Sequence, residues 1–573
     1  MVRLASAGMV ATGELGVSSM TRRRFLLGLA GAGFSAGALA ALTACGAQSA
    51  PATTVPPANA TSRATTPRAV AASPTLPAIS TATARRGGTI QAAQQGDWQG
   101  YDPHNQNSSS AYGYIYDALV NWVVQPDGSV KAGPSLATEW ELTDKTATFK
   151  LRQGIKFHDG SDWNAGCAKF NIDRMLAPTS SSQANVASVA SAEVVDPFTL
   201  RLNLKAAAAG LLANLSDAAN DRAWMISQAM AEKTGNKYGT SPETTAGTGP
   251  MRVVEWVAGS HQVLQRTGTY WQQGGDGQPL TYIDTLRVRF IADDTVRAVE
   301  LRSGNVQIIG NVQPKDMAAL QRESTVEVRE NPYQVTAYQF TFTSKPGPFA
   351  DNLKLRQAIH YGIDRRTIAK VLGTDVGAPM FHFLTAGYVG YDESLPFYDF
   401  DLAKAKQLLG EAGYPSGMDL GITLINRAVD TQQGQILKQM LEAVGFRVAL
   451  DSLERLAFNE KVKTGEFQMA TYQTGVRPDS DSILGGRFGT ASEINIANMS
   501  DPVMDGFLAR GRGSYDDKVR AAAYRDVQRR IYETAKYGTI WYRKYFDAQR
   551  KDLQGRTPSQ NAEWGLKQAW LAR

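Results

Sequence analysis

IYDALVNWVVQPDGSVKAGPSLATEWELTDKTATFKLRQGIKFHDG runs from Ile115 to Gly160. Within it, Thr146-Ala147-Thr148-Phe149-Lys150-Leu151-Arg152 alternates polar and apolar residues, the pattern of a half-buried strand. Asp159-Gly160 marks a turn after Lys156-Phe157-His158. The same alternation returns in Thr199-Leu200-Arg201-Leu202-Asn203-Leu204. Upstream, Tyr112, Ile115, Tyr116 and Leu119 stand at i, i+3, i+4 and i+7, which predicts a helix from Ser109.

Outward from this stretch the chain is mixed α/β. Thr89–Ala93 reads as a strand, followed by the loop GDWQGYDPHN. A second section opens at Gly247, with strands expected at Met251–Trp256, Gln262–Arg266 and Thr285–Phe290. A third opens near Tyr333, with a β-rich run over Val335–Phe342. Asp351 precedes a helix through Leu355, Ile359 and Gly362. Asp364 and Asp401 are placed to cap the helices DRRTIAKVL and DLAKAKQLLGEAGY, where a carboxylate accepts the free amide hydrogens of the first turn. Leu402, Ala405, Leu408, Leu409 and Ala412 form one apolar face, and Gly413 can end that helix. Strand Leu420–Ile425, helix Thr431–Val444 and strand Phe446–Leu450 follow, and the alternation persists to about Tyr545.

The N-terminus supplies the compartment. Arg22-Arg23-Arg24 precedes an apolar run from Phe25 to Ala44, which ends in Leu42-Thr43-Ala44-Cys45. Thr21-Arg22-Arg23-Arg24-Phe25-Leu26 resembles a twin-arginine export motif, and Leu42–Cys45 resembles a bacterial lipobox. Residues 1–45 are therefore expected to be a lipoprotein signal with Cys45 lipidated; the alternative is a transmembrane helix, weakened by the Gly, Ser and Thr within the run. Residues 46–84 are an Ala/Pro/Thr/Ser linker: 30 of its 39 residues are of these four types, too little apolar surface to offset ordering entropy. As a coil it spans about 35 Å; the same composition also permits a glycosylated stalk.

The chain has 573 residues, 43% of them hydrophobic and 20% charged, as in an ordinary globular protein with ample core. Its net charge of +6 falls to +3 without the signal, since Arg3, Arg22, Arg23, Arg24 and Glu14 go with it. That small balance, with Lys and Arg scattered, gives no case for nucleic acid. With Cys45 lipidated, Cys167 is alone, so no disulfide is expected; in NAGCAKFNIDRML it reads as a small buried hydrophobe. The five histidines (His104, His158, His261, His360, His382) have no metal-ligand spacing. G-x-S-x-G occurs only as Gly33-Phe34-Ser35-Ala36-Gly37 within the apolar run of the signal, and P-loop, H-E-x-x-H and C-x-x-C motifs are missing. No catalytic residue, metal or cofactor is assigned, and the chain is not expected to be an enzyme.

Five ordered blocks carry a resemblance: Ile115–Gly160; GTGPMRVVEW from Gly247; RTGTYW from Arg266; DNLKLRQAIHYGIDRRTIAKVL from Asp351; and YDFDLAKAKQLLGEAGYPSG from Tyr398. Together they resemble the extracellular solute-binding proteins of the oligopeptide/dipeptide/nickel type (family 5), the receptors of ABC importers. The resemblance implies a two-lobe, periplasmic-binding-protein-like α/β fold (type II, large cluster C-like) with a subdomain inserted in the first lobe. Carried onto this chain, lobe I is 85–115, 239–332 and 541–573, the insertion 116–238, and lobe II 333–540. It also implies a small organic solute between the lobes, ABC permease subunits as partners, and a monomer on the outer face of the cell membrane, periplasmic where a second membrane exists. An exported hydrolase or a sensor on the same scaffold is the alternative.

The resemblance places candidate solute contacts at Asp97 and Trp98 in the loop after the first strand, with Trp98 either stacking on solute or packing under the loop. Tyr338 either lines the opposite wall or is core. The segment Thr471–Phe488 (TYQTGVRPDSDSILGGRF) resembles the family's cleft segment and adds Tyr472, Gln473, Arg477 and Asp479. Where peptide-binding members carry an aspartate for the peptide's ammonium, this chain has Val476. The anchor is therefore missing unless Asp479 substitutes for it, which argues against an ordinary free peptide. Arg477 either pairs with a solute carboxylate or phosphate, or sits in solvent or on Asp479 or Asp481. With no histidine in the segment, nickel chelates and haem gain no support.

Overall fold

The computed structural model describes residues 84–105, 111–125, 130–219, 222–374, 376–475, 477, 479–490, 492, 495, 499–557 and 564–572. The signal, Cys45, nearly all of the linker and Val476 lie outside the described residues.

The first strand, β1 (Thr89–Gln94), is followed by the inserted part. There β2 (Val120–Val124) pairs with β3 (Val130–Pro134), and β4 (Ala137–Leu142), β5 (Thr146–Leu151), β6 (Val189–Asp196) and β7 (Thr199–Leu204) form an antiparallel sheet in the order β4-β5-β7-β6. Alternation drives it: Ala147, Phe149 and Leu151 from β5 and Leu200 and Leu202 from β7 are buried in one core with Trp163, Ile172 and Met175. Helix Ala165–Leu176 covers this core and is capped by Asn164, whose Oδ1 accepts the amides of Gly166 and Cys167. Cys167 is a free, buried thiol, pushed up by its burial.

The remaining strands build one sheet, eleven-stranded among the described residues. In chain order they are β8 (Met251–Val257), β9 (His261–Arg266), β10 (Thr285–Phe290), β11 (Ile308–Ile309), β12 (Val326–Phe342), β13 (Gly377–Pro379), β14 (Met418–Ile425), β15 (Phe446–Leu453), β16 (Met469–Gly475) and β17 (Tyr537–Arg550). A short pair, β18 (Leu553–Gln554) with β19 (Trp570–Leu571), stands apart. Spatial order is β15-β14-β16-β12-β17-β11-β1-β10-β9-β8, with β13 on β17. In the first lobe β1 runs parallel to β10 and β11 and is buried on both faces, as central parallel strands are. In the second, β14 is parallel to β15 and β16, with helix Ala428–Val444 and helix Arg455–Thr464 as the crossovers.

The antiparallel pair β12 and β17 belongs to both halves. Val326–Asn331 pairs with Tyr545–Arg550 beside β11, and Val335–Thr341 pairs with Tyr537–Lys544 beside β16. Register breaks between Asn331 and Val335, where Pro332 has no amide to donate. The expected boundaries at 332/333 and 540/541 fall inside these two strands. The β-rich run predicted over 335–342 is thus the second half of a 17-residue strand; the charged VEVREN half, paired with β17, carries no clear alternation.

Two other local expectations change. The helix from Ser109 is one turn, Tyr112–Ile115, and the chain is extended from Tyr116. All four residues of that turn are buried, and Tyr116 and Leu119 pack in different cores, so the apolar spacing reported burial on every side. Helix Leu353–Gly362 is capped by Asn352; Asp351 ends the preceding turn. Asp364 and Asp401 cap as predicted, accepting from Arg366 and Thr367 and from Lys404.

The quoted blocks meet at one carboxylate. Asp117, buried, accepts the hydroxyls of Thr248 (2.9 Å) and Tyr270 (2.7 Å) and the indole N–H of Trp271 (3.1 Å). Beside it the GTGP stretch runs against Tyr114 and Ile115 so closely that a Cβ on Gly247 would lie 2.0 Å from the Ile115 carbonyl oxygen.

The loop after β1 is pinned by Arg174, which holds Asp102 with both terminal nitrogens, and by His104, whose Nε2–H donates to the Trp224 carbonyl (3.0 Å). Burial, aided by Arg174, holds His104 down to about 4. An unfolded histidine takes up its proton near pH 6.5, so the folded state is deficient in protons between there and about 4. This contribution is fully present above pH 6.5 and is lost as the pH falls through that window. Urea unfolding at pH 7 and pH 4.5 should lose about 2–3 kcal/mol more in the wild type than in His104→Gln; equal losses would contradict the assignment.

Candidate functional site

In open α/β sheets ligands gather beyond the carboxyl ends of parallel strands. Here those ends include Gln94 on β1, Ile425 on β14 and Gly475 on β16, and every sequence candidate except Tyr338 lies on or just after β1 or β16.

After β1, Asp97 is fully engaged. Its Oδ1 accepts from the Trp98 amide (2.7 Å) and the Trp256 indole (3.0 Å), and its Oδ2 from the Gly259 amide (2.5 Å). It braces the β8–β9 hairpin. Trp98 packs edge-on to Phe290 with ring centres 5.6 Å apart and is buried in the first lobe's core.

On one face of the second lobe, Tyr338 stacks on Trp541 (4.4 Å, planes 6° apart), and the Trp541 indole donates to Gln433 Oε1 (2.8 Å). Gln473, opposite Tyr338 in the ladder, reaches Asp430 at 3.4 Å, and Asp430 pairs with Arg427 at 2.7 Å. Burial, with the Asp430 charge nearby, pushes the Tyr338 phenol up to about 12; burial likewise raises Asp430.

On the other face, Tyr472 is buried and pushed up to about 12. Beyond Gly475 the expected cleft loop gives way to helix Ser480–Phe488. Asp479 caps that helix through the Asp481 amide (2.9 Å) and is held by Arg520 through both carboxylate oxygens (2.8 and 2.7 Å). Asp481 in turn takes Arg512 (2.9 Å). Both carboxylates that the sequence offered to Arg477 are therefore committed elsewhere. Arg477 is half-buried, its carbonyl taking the Tyr388 hydroxyl at 2.7 Å. Tyr472 and Arg477 both lie beside Arg487, and on the opposite face Tyr338 pairs with Gln473, while Asp97 and Trp98 stay in the first lobe's packing.

Two residues of this region were not signalled by sequence. Arg487, 7% exposed, donates to the Gly475 carbonyl (3.3 Å); burial holds it down to about 10, with the Arg477 charge adding to the effect against the pull of Tyr472. Arg222, from the inserted part, lies close enough to Arg477 to lower it further after burial. The one local hint was that Arg487 has Ile483 and Leu484, not acids, at i−4 and i−3. Among the described residues no group of three or more His, Cys, Asp or Glu is arranged to hold a metal.

The inserted part touches the second lobe near this point. The Ala209 amide donates to Arg512 O (3.0 Å), and Tyr515 donates to Thr143 O (2.8 Å). A Cβ on Gly210 would stand 3.2 Å from Asp479 Oδ1.

Comparison with known proteins agrees with this architecture. The glutathione-binding protein GsiB of Escherichia coli strain K12 is 28% identical over 471 residues, covering 79% of this chain and 88% of that one. The fold matches the periplasmic binding protein DppA of Helicobacter pylori, solved with the peptide STSA (TM-score 0.71, 23% identity, 85% of this chain and 99% of that one). It also matches AgaA of A. tumefacien R10, solved with agropinic acid (TM-score 0.70, 24% identity, 85% and 99%). The family described as bacterial extracellular solute-binding proteins, family 5 Middle, matches residues 131–494, more than half of the chain. The chain belongs to family 5 of the bacterial extracellular solute-binding proteins and shares their two-domain α/β fold.

Proposed function

We propose that this protein is an extracytoplasmic receptor that encloses one small organic solute between its lobes and hands it unchanged to the permease subunits of an ABC importer. Lipid on Cys45 would tether it to the outer face of the cell membrane, with residues 46–84 as the leash, and it would act as a monomer. The observation that carries this reading is the pair β12 and β17. Two long strands shared by both halves, with a register break between Asn331 and Val335, are the kind of connection about which lobes close. Lobe I is then 85–115, 239–332 and 541–573, the insertion 116–238, and lobe II 333–540. Closure removes water, so each polar contact to the solute strengthens.

The solute is peptide-like in size, in keeping with the glutathione in GsiB's name and with the peptide STSA and agropinic acid in the matching structures. Tyr472, Gln473 and Arg477 are the side chains of this chain proposed to meet it, with Trp98 and Tyr338 shaping the walls from within the packing. Asp97 and Asp479 would support those walls, since their oxygens are already taken. With Asp479 on Arg520, the missing ammonium anchor at 476 has no replacement there. Native mass spectrometry of the purified protein should find one solute per chain; stoichiometric turnover of a bound solute instead would contradict the reading.

A further inference from the structure

The receptor reading sets Arg477 beside the solute but leaves its counter-charge, and the guanidinium groups of Arg222 and Arg487 near it, unexplained. Arg222 belongs to the inserted part, Arg477 follows β16, and Arg487 lies in helix Ser480–Phe488. Among the described residues, none has a carboxylate within ion-pair distance. The nearest acids in the segment, Asp479 and Asp481, are committed to Arg520 and Arg512. Arg222 donates to the Ser181 carbonyl, and Arg487 has only the 3.3 Å bond to Gly475 O for its five N–H groups while more than nine-tenths buried.

A buried guanidinium cannot shed its proton at neutral pH, and unpaired burial is costly. Each neighbouring like charge adds to that cost, visible in the downward push of Arg477 on Arg487 and of Arg222 on Arg477. The inserted part, which carries Arg222, meets the second lobe, which carries Arg477 and Arg487, at the Ala209–Arg512 and Thr143–Tyr515 contacts and where Gly210 approaches Asp479. Closing that junction therefore gathers positive charge that no carboxylate among the described residues balances.

Resting on the receptor reading, we propose that the solute is an anion, and that its carboxylate or phosphate group sits between Arg222, Arg477 and Arg487 and holds the inserted part against the second lobe. An oxyanion presents two or more acceptors to the planar guanidinium forks and turns their mutual repulsion into attraction. A neutral solute leaves the repulsion in place, so closure is selective for charge.

The test uses the full mature chain, Arg222→Gln and Arg477→Gln, and Arg455→Gln, on an exposed helix, as the control for net charge. Solute carried through native purification is identified by mass spectrometry, and Tm is followed against inorganic phosphate at low ionic strength. The expected result is a retained solute bearing at least one acid group, its occupancy falling at least tenfold in Arg222→Gln and Arg477→Gln but not in Arg455→Gln. Phosphate should raise Tm in the wild type and in Arg455→Gln and should not do so in the other two. A retained neutral or purely cationic solute, retention unchanged in both cleft variants, or no phosphate response in the wild type would overturn the anion site. Failure of the receptor reading itself looks different: no solute of any charge is held or compacts the protein.

Discussion

Arg520→Leu is expected to lower the unfolding free energy by about 3–5 kcal/mol, because it leaves the Asp479 carboxylate buried without its cation. Both partners are nearly inaccessible, at 8% and 7% of side-chain surface, and both carboxylate oxygens lie within 2.8 Å of the same guanidinium nitrogen. The charge, not the shape, carries the penalty. Arg520→Leu combined with Asp479→Asn should therefore recover most of the loss, since asparagine still accepts the Asp481 amide and needs no cation. Urea unfolding of the two single variants and the double variant measures the coupling. Additive effects would mean that the pair is solvated in solution.

Asp117→Ala is expected to cost at least about 3 kcal/mol. It removes the shared acceptor of three donors, the buried Thr248 and Tyr270 hydroxyls and the half-buried Trp271 indole, and each group left unsatisfied carries a penalty of about 1–3 kcal/mol, partly relieved where water enters. Asp117→Asn keeps one acceptor oxygen and should cost clearly less. Guanidinium unfolding followed by tryptophan fluorescence distinguishes them. Equal and small losses in both would show that the junction of Ile115–Leu119 with Gly247–Trp271 is held by apolar packing alone.

What the sequence could say followed from how local each cause is. Caps at Asp364 and Asp401 act within four residues, so they were legible, as was the alternation of Thr146–Leu151 and Thr199–Leu204, where one face is buried and the other is not. The long strands β12 and β17 were legible only in part, because Pro332 and a run of charges interrupt the pattern of β12 and its ladder partner lies some 200 residues on. The turn at Tyr112–Ile115 failed as a long helix because burial on all sides mimics an apolar stripe.

The solute-facing residues were harder still. Asp479 looked free in TGVRPDSDS because its partner, Arg520, is 41 residues away. Arg222, Arg477 and Arg487 belong to three parts of the chain that no spacing rule relates, though Arg477 feels the charge of Arg222 and Arg487 that of Arg477. Arg477 itself could be singled out, but whether its counter-charge came from the chain or from outside depended on where Arg520 and Arg512 pointed.

The most direct measurement is small-angle X-ray scattering on protein stripped of its solute, before and after that same solute is returned. Hinged enclosure predicts a smaller radius of gyration on rebinding, with the solute-bound profile matching the present structure and the stripped one more extended. A solute that binds tightly while the two profiles superimpose would contradict closure about β12 and β17.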